Sequence, residues 1–450
     1  NKQSPTSLFA PETKAQGFSF GLSQLFPTGG TLNLNWANTR QVQSGVNLGN
    51  QPGTTAPGGT PNTGSSGKGI TYNTTPTFTY TQPLLRNSGR LAIEHNLLVA
   101  RTNSTLSRTE FERQVIATSI QIIDSYWNLV NAIEQLVVAQ EALGLAKDLH
   151  DRNRVQVEVG TLAPLSMVQS EAAVKTREED IITARAAIDD AADLMRILLN
   201  LPPGPLWQME VVPTTAPETD HIEINQDEAL ETAWKARTEI RESAITNQLA
   251  RINEVFFKNE VRPQLDLVLG YGYSGSDVNF PDALSQISGL SYPNWTARLN
   301  FSYPLQNRTA RAQALIGQLE VERTGTDLDQ QRKLVTNEVR HAVRLVVTAA
   351  KSIDAAKTSR DFQEKTLDAE RKRYENGMST SYQITLIQND LTLSKSREVN
   401  AIVSYRTALA EYYRSIGKLL DVEGVQLIDP PDEVHRFGFG AKAMSVGGKR

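Results

Sequence analysis

Cysteine is absent from this chain of 450 residues, and histidine occurs only five times. A disulfide framework, a thiolate metal site and a thiol nucleophile are thereby excluded, although the absence suits an oxidising compartment as well as a reducing one. Excess positive charge is lacking too: the formal net charge is −4, which gives nucleic acid no footing. No window approaches the ~18 consecutive apolar residues of a membrane-spanning helix, and no basic-then-apolar leader opens the chain at Asn1. If the protein is exported, its leader has been removed. The mean hydropathy of −0.37 reads as water-soluble, but a membrane β-barrel passes that test because only alternate residues of each strand meet lipid. Proline is missing from Leu84 to Ala163, from Leu165 to Leu201 and from Leu305 to Asp429, which leaves room for very long helices.

What is present begins with four alternating segments. Leu32, Leu34 and Trp36 oppose Asn33 and Asn35, and Tyr72, Phe78 and Tyr80 oppose Asn73, Thr75, Thr77, Thr79 and Thr81. Leu265, Leu267, Leu269, Tyr271 and Tyr273 share one side of the third, while Trp295, Ala297, Leu299, Phe301 and Tyr303 oppose Thr296, Arg298, Asn300 and Ser302 in the fourth. Each is near the ~9–11 residues that cross a bilayer as a tilted strand, with Trp or Tyr near its ends. A sandwich strand with one solvated face gives the same alternation. The links within each pair, residues 40–70 and 275–293, read as polar loops rich in Gly, Pro, Thr, Asn and Ser. Phe18, Phe20 and Leu22 alternate in a segment that reads as a short extra strand or a plug-like hairpin.

The rest is helical, with apolar residues in coiled-coil steps of four and three. Phe111, Val115, Thr118 and Ile122 lead into Leu129, Ile133, Leu136 and Leu143. Leu328, Val335, Val339, Ala342, Val346, Ala349, Ile353 and Ala356 repeat the rhythm, and Ile387, Leu391, Ser394, Ile402, Tyr405, Leu409, Tyr412, Ile416 and Leu419 carry it back. A single helix from Asn87 to about Arg154 would be on the order of 100 Å long. His95, His150 and His341 fall on polar helical stretches, where a solvated imidazole is expected, and His221 and His435 share no ligand spacing with them. Among the many helical carboxylates, Glu370 has Tyr374 and Arg371 nearby.

The chain repeats itself. Pro83-Leu84 and Arg90 of "QPLLRNSGR" align with Pro304-Leu305 and Arg311 of "YPLQNRTAR" at one common offset, and further on Gly160 aligns with Gly377. Each half reads strand, loop, strand, long helix, glycine turn, returning helix. These junctions, the approach to each glycine and the order of all the motifs together resemble the TolC-like outer-membrane efflux proteins over roughly residues 15–420. The resemblance implies an α+β membrane protein. A homotrimer would close a twelve-stranded β-barrel, four strands per chain, that continues into a long α-helical coiled-coil barrel with an internal twofold repeat.

On that resemblance residues 1–84 hold the first strand pair with an extracellular loop, and 85–224 the first long helical hairpin with its tip near 160. Residues 225–263 form a helix before the second strand pair, 264–304 that pair, 305–424 the second hairpin with its tip near 377, and 425–450 a mobile tail. The family's N-terminal helix ahead of the first pair is missing from this sequence. The implied function is a passive exit duct of a tripartite efflux pump or type I secretion system, in the outer membrane of a Gram-negative-type bacterium and extending into the periplasm. Its implied partners are outer-membrane lipid, a periplasmic adaptor (membrane fusion protein) and an inner-membrane transporter. The resemblance implies no enzyme activity, and hence no catalytic residue, cofactor or metal.

Carried over by position, adaptor docking falls on Val159, Gly160, Thr161 and Leu162 and on Asn376, Gly377, Met378 and Ser379. The constriction falls on Ser166, Gln169, Tyr374, Gln383, Leu386 and Asp390. Gln383 and Leu386 stand where some relatives place aspartates, and Ser379 stands where an arginine can tie the tip closed. Asp390 is the nearest remaining carboxylate. A trimeric membrane-anchored coiled coil with a structural or adhesive role is the rival reading, but two strand pairs separated by two helix hairpins exceed what an anchor needs. A periplasmic adaptor would require an all-β segment between helices, which the sequence does not offer.

Overall fold

The computed structural model describes residues 12–44, 69–202, 204–215 and 222–428. Most of the 40–70 loop, the tail beyond Ile428, His221 and His435 lie outside the described residues. The strands are β1 (Glu12–Leu25), β2 (Thr31–Ser44), β3 (Gly69–Pro83), β4 (Gln264–Tyr273), β5 (Gly275–Asp277) and β6 (Pro293–Ser302). The helices are α1 (Arg90–Ile93), α2 (His95–Glu158), α3 (Pro164–Leu198), α4 (Gln226–Ala236), α5 (Thr238–Glu260), α6 (Phe280–Ser288), α7 (Arg308–Glu375), α8 (Ser381–Ser415) and α9 (Leu419–Val422). They form two compact units, one of Asn1–Ser104 with Ile245–Gly325 and one of Thr105–Ala244 with Thr326–Arg450.

The first unit carries an antiparallel sheet in the order β1-β2-β3-β4-β6, with β5 also on β3. The four alternating segments supply β2, β3, β4 and β6. The segment around Phe18 is neither short nor a plug: β1 is 14 residues long and pairs with β2 along its whole length. The β1–β2 turn is closed by Phe26 N–H to Gly30 O at 2.8 Å and Gly29 N–H to Phe26 O at 2.9 Å. Gly29 sits at φ 95, where a Cβ would meet Ile93 and the Asn87 carbonyl, so glycine is required there.

Register sorts the two faces of the sheet. Leu22, Leu34, Phe78, Tyr271 and Trp295 lie in one row across five strands, and the row Ser23, Asn33, Thr79, Gly270, Thr296 lies on the opposite face. A slip of one residue would exchange the faces. Pro76, which cannot donate to a ladder, falls where β3 changes partner from β5 to β4, between Thr74 and Thr77. Residues 275–293, expected as a loop, instead hold β5 and α6. Asn279, with Pro281 close behind it, precedes α6, which ends at Gly289. Helix and strand meet closely, since a Cβ on Gly275 would come within 2.1 Å of the Ala283 carbonyl oxygen.

Each strand-to-helix junction carries an asparagine with positive φ, Asn87 at 60 and Asn307 at 42, a conformation this side chain tolerates better than most. The Asn87 N–H donates to Asn259 Oδ1 at 2.7 Å, and Asn307 Nδ2 donates to the Val261 carbonyl at 2.9 Å. Both junctions are thus pinned to the end of α5. His95 is not solvated as expected: its ring stacks on Phe256 at 4.1 Å and its Nε2 lies 2.9 Å from Asn253 Oδ1.

At 64 and 68 residues, α2 and α7 are each on the order of 100 Å long. In the second unit the coiled-coil rhythm is realised as burial. Val335, Val339, Val346 and Ile353 of α7 and Ile387, Leu391 and Tyr405 of α8 are all buried, with Val346, Ile353, Tyr405 and Ala408 in one cluster. Phe111, placed in the seam by its spacing, is 61% exposed, so the described residues leave most of that position uncovered. α2 also contains an 18-residue window of mean hydropathy 1.2, enough by composition for a membrane span. The window holds no long run of consecutive apolar residues and reaches that average with polar residues interspersed.

Candidate functional site

The two glycine turns lie in the second unit and share one geometry. Gly160 at φ 79 follows α2, and Gly377 at φ 72 follows α7. Gly160 N–H donates to Val157 O at 3.0 Å and Thr161 N–H to Gln156 O at 2.9 Å; Gly377 N–H donates to Tyr374 O at 2.9 Å and Met378 N–H to Arg373 O at 2.8 Å. Both are Schellman motifs, in which a left-handed residue turns the chain while satisfying the last helical carbonyls. The return helices start differently. α3 opens on Pro164 with no side-chain cap, whereas Thr380 Oγ1 caps α8 by accepting from Gln383 N–H at 3.2 Å.

Behind the turns is a buried polar junction that the sequence did not announce. Asn153 is fully buried. Its Nδ2 donates to Ser381 Oγ at 2.6 Å and its Oδ1 accepts from the Tyr374 hydroxyl at 2.7 Å, which also lies 2.9 Å from Gln156 Oε1. One asparagine therefore joins α2 to the end of α7 and the start of α8. Burial pushes the Tyr374 phenol up, with Arg152 pulling weakly the other way, so the hydroxyl keeps the proton it donates. His150, expected to be solvated, has its Nδ1 3.1 Å from Ser170 Oγ and so links α2 to α3. Glu370 is buried and pairs with Arg373 at 3.1 Å and with the Ser379 hydroxyl, not with Arg371. Arg152 and Glu375 form a 2.7 Å ion pair between the two hairpins. Both partners are about half exposed, so the pair contributes at most ~1 kcal/mol.

The residues on which docking is expected form the outer surface of the turns. Val159, Gly160, Thr161, Asn376, Gly377 and Met378 are exposed, and Leu162 and Ser379 are half-buried. Of the constriction set, Gln169, Gln383, Leu386 and Asp390 are exposed and Ser166 is half-buried. Tyr374 stands apart, buried among Leu149, Leu367, Ile384, Ile387 and Leu391. Its role within a single chain is to tie the two hairpins together. Replacing Tyr374 by phenylalanine leaves Asn153 Oδ1 without its donor at a cost of about 1–3 kcal/mol. The expected result is hydrogen exchange faster by roughly tenfold or more at the amides of residues 150–160 and 370–381. Unchanged protection there would show that the junction does not hold the turns.

An antiparallel sheet with one exposed apolar face, together with two long helical hairpins closed by glycine turns, defines the outer-membrane channel-tunnel class of fold. Residues 229–418 match the model of the outer membrane efflux protein family. Among solved structures, the outer-membrane channel OprN is similar over 91% of this chain and 82% of its own, with a TM-score of 0.65 and 14% identity. The Campylobacter jejuni CmeC outer membrane channel is similar over 91% and 78%, with a TM-score of 0.63 and 13% identity. The Neisseria gonorrhoeae MtrE outer membrane channel, in its open state, is similar over 92% and 81%, with a TM-score of 0.60 and 14% identity. No protein of curated function matches by sequence. The resemblance to TolC-like outer-membrane efflux proteins is thus carried by the family match over residues 229–418 and by the fold over nearly all of the chain.

Proposed function

We propose that this chain is the exit duct of a tripartite efflux pump or a type I secretion system, a passive channel across the outer membrane and the periplasm. The observation that carries this reading is the sheet. Phe78, Tyr271, Trp295, Leu299 and Phe301 expose a broad apolar face, and Thr, Asn, Ser and Gly line the other. Such a sheet suits lipid on one side and water on the other. Among the described residues the sheet does not close on itself, and lipid does not tolerate open edges, so several copies would close a ring. A homotrimer meets that need. The helices support the same reading, since Phe111, Ile182 and Phe362 are 61%, 70% and 62% exposed among the described residues and suit packing against a neighbouring copy.

In this reading the helical barrel carries the wall through the periplasm, the turns around Gly160 and Gly377 meet a periplasmic adaptor, and an inner-membrane transporter supplies the energy. The protein extracted in mild detergent is expected to have the mass of a trimer and to give discrete steps of conductance in a planar bilayer. A monomeric or dimeric mass, or a trimer with no pore, would overturn it. The second outcome is the one an adhesive coiled coil would give.

A further inference from the structure

The apolar face of the sheet does not stay apolar to its end. Away from the helix junction, the row Leu22, Leu34, Phe78 and the row Phe20, Trp36, Pro76 give way to Phe18, Asn38, Thr74 and then to Gln16, Arg40, Tyr72. Pairing across each row and alternation along each strand keep these side chains on one face. From Leu32 to Arg40 the chain runs about 27 Å along β2, and strand tilt brings this near or below the ~25 Å height of a barrel's apolar band. Arg40 thus stands at the rim farther from the helices. There Gln16, Phe18, Asn38, Arg40, Tyr72 and Phe280 line a cavity of about 250 Å³. Asn38 is 4% exposed, and neither its Nδ2 nor its Oδ1 has a hydrogen-bond partner among the described residues. Thr74, opposite it across the ladder, accepts instead from the Trp36 indole N–H at 2.8 Å. A folded protein rarely leaves a buried amide unbonded, because its loss of water then goes uncompensated. Arg40 gives its Nε–H to the Tyr72 hydroxyl at 3.1 Å and lies over that ring, which leaves the N–H groups of both Nη atoms for another acceptor. No described carboxylate pairs with it; Asp277, opposite Tyr72, is held by the Val278 N–H and by Gln286. Phe280, the first residue of α6, packs edge-on against Tyr72 with the rings 6.1 Å apart.

We propose, resting on the reading of this sheet as a channel wall in the outer membrane, that the cavity binds the phosphorylated sugar headgroup of an outer-leaflet lipid. The planar guanidinium of Arg40 presents paired donors to phosphate oxygens, a geometry that suits arginine better than lysine. Asn38 needs a donor and an acceptor at one place. A sugar hydroxyl or amide beside the phosphate supplies the donor that a bare phosphate diester lacks, so the ligand that satisfies both amide atoms carries both groups. Phe18 and Phe280 offer flat apolar walls to the sugar ring. Below them Phe20 and Trp36, 60% and 40% exposed, continue the face along which acyl chains would lie. An arginine that only reached for water at the membrane rim would need neither a cavity nor a buried amide beside it. The cavity is walled by β1, β2, β3 and α6 of one chain, so its lining is the same whichever strand meets a neighbouring protomer.

Native mass spectrometry of the detergent-extracted protein counts the lipids that each assembly keeps. The probes are lipid A, whose headgroup is a phosphorylated glucosamine disaccharide, the same lipid stripped of its phosphates, and phosphatidylcholine, with inorganic phosphate and glucosamine 1-phosphate as soluble competitors. Lipid A should be retained at one copy per chain, the other two lipids should be lost, and neither soluble competitor should displace it. Arg40→Gln and Asn38→Ala should each weaken retention about tenfold, while Arg298→Gln, on the opposite face of the sheet, should leave it unchanged. Asn38→Ala removes a side chain without partners in the lipid-free protein, so the melting temperature without lipid should not fall, which separates binding from folding. Equal retention of phosphatidylcholine and lipid A, or full retention of lipid A by both cavity variants, would overturn the proposal. Displacement by glucosamine 1-phosphate or inorganic phosphate would make this a site for a soluble anion and overturn its assignment to a lipid. The channel reading fails separately, by a monomeric mass or the absence of a pore in the same preparation, whichever lipid is bound.

Discussion

Gly160→Arg and Gly377→Arg are each expected to abolish export while leaving the assembled protein intact. Both glycines lie at the apex of an exposed turn, and no atom stands within 4 Å of where a Cβ would be. An arginine side chain thus meets no clash with the described residues and projects outward, into the space that the proposed adaptor would occupy. The cost to folding is the left-handed backbone, ~1–2 kcal/mol per site, in turns whose closing hydrogen bonds are made by backbone N–H groups that the substitution retains. Asparagine tolerates that backbone and is short, so Gly160→Asn and Gly377→Asn should keep activity. Drug resistance or secretion measured in cells, beside the trimer content of their membranes, separates docking from folding. Normal export by both arginine variants would remove these turns from the docking surface, and loss of trimers would make the defect one of folding.

Gln383→Asp is expected to create tight block of the channel by polyvalent cations added from the periplasmic side, where the unmodified channel is blocked only weakly. Gln383 is exposed in the first turn of α8, and its own N–H is held by Thr380 Oγ1. On the placement of Gln383 and Leu386 at the narrowest point that the resemblance implies, a cation would meet amide dipoles and isobutyl groups and no formal charge. A carboxylate at the start of a helix stays ionised, since the helix N-terminus favours negative charge. Unit charges ~4 Å apart at an effective dielectric of about 20 attract by about 4 kcal/mol. Even a third of that tightens block about tenfold. Single-channel recording with the cation on each side in turn checks the claim. Tight periplasmic block of the unmodified channel would move the constriction to other carboxylates, Asp390 first.

Strong local periodicity is what made parts of this fold legible in the sequence. β2, β3, β4 and β6 set large apolar residues against Thr and Asn, and the seams of α7 and α8 repeat every seven residues without a proline. β1 was half legible because its inward positions are Gly and Ser, which weaken the strand signal even as they fit a crowded face. α6 was not legible because its nine residues, between Asn279 and Gly289 and with Pro281 and Ser285 among them, look like loop. The turn glycines were visible, as any glycine in a long helical pattern is. The junction behind them was not: Asp151, Arg152, Asn153 and Arg154 are polar all round, and no pattern singles out Asn153 as the one facing inward. The same blindness applied to His95 and His150, whose partners Phe256, Asn253 and Ser170 are set by tertiary packing alone.

The pairing of β3 with β4 has a consequence for the order in which the protein comes together. Thr77 and Gly272 are neighbours in the sheet, yet an entire helical hairpin, α4 and α5 separate them in the chain. The hairpin β1–β2 closes through a five-residue turn and β3 can follow once β2 exists, whereas β4 with β6 forms a second patch from local chain. Joining the two patches requires the longest closure in the sheet, and contacts so distant in sequence form slowly. Until then the two half-sheets would leave their apolar faces bare to water. The β3–β4 ladder is therefore the late step of biogenesis, and the interval before it is when the chain is most exposed to aggregation and most dependent on a chaperone that can shield Phe78, Tyr271 and Trp295.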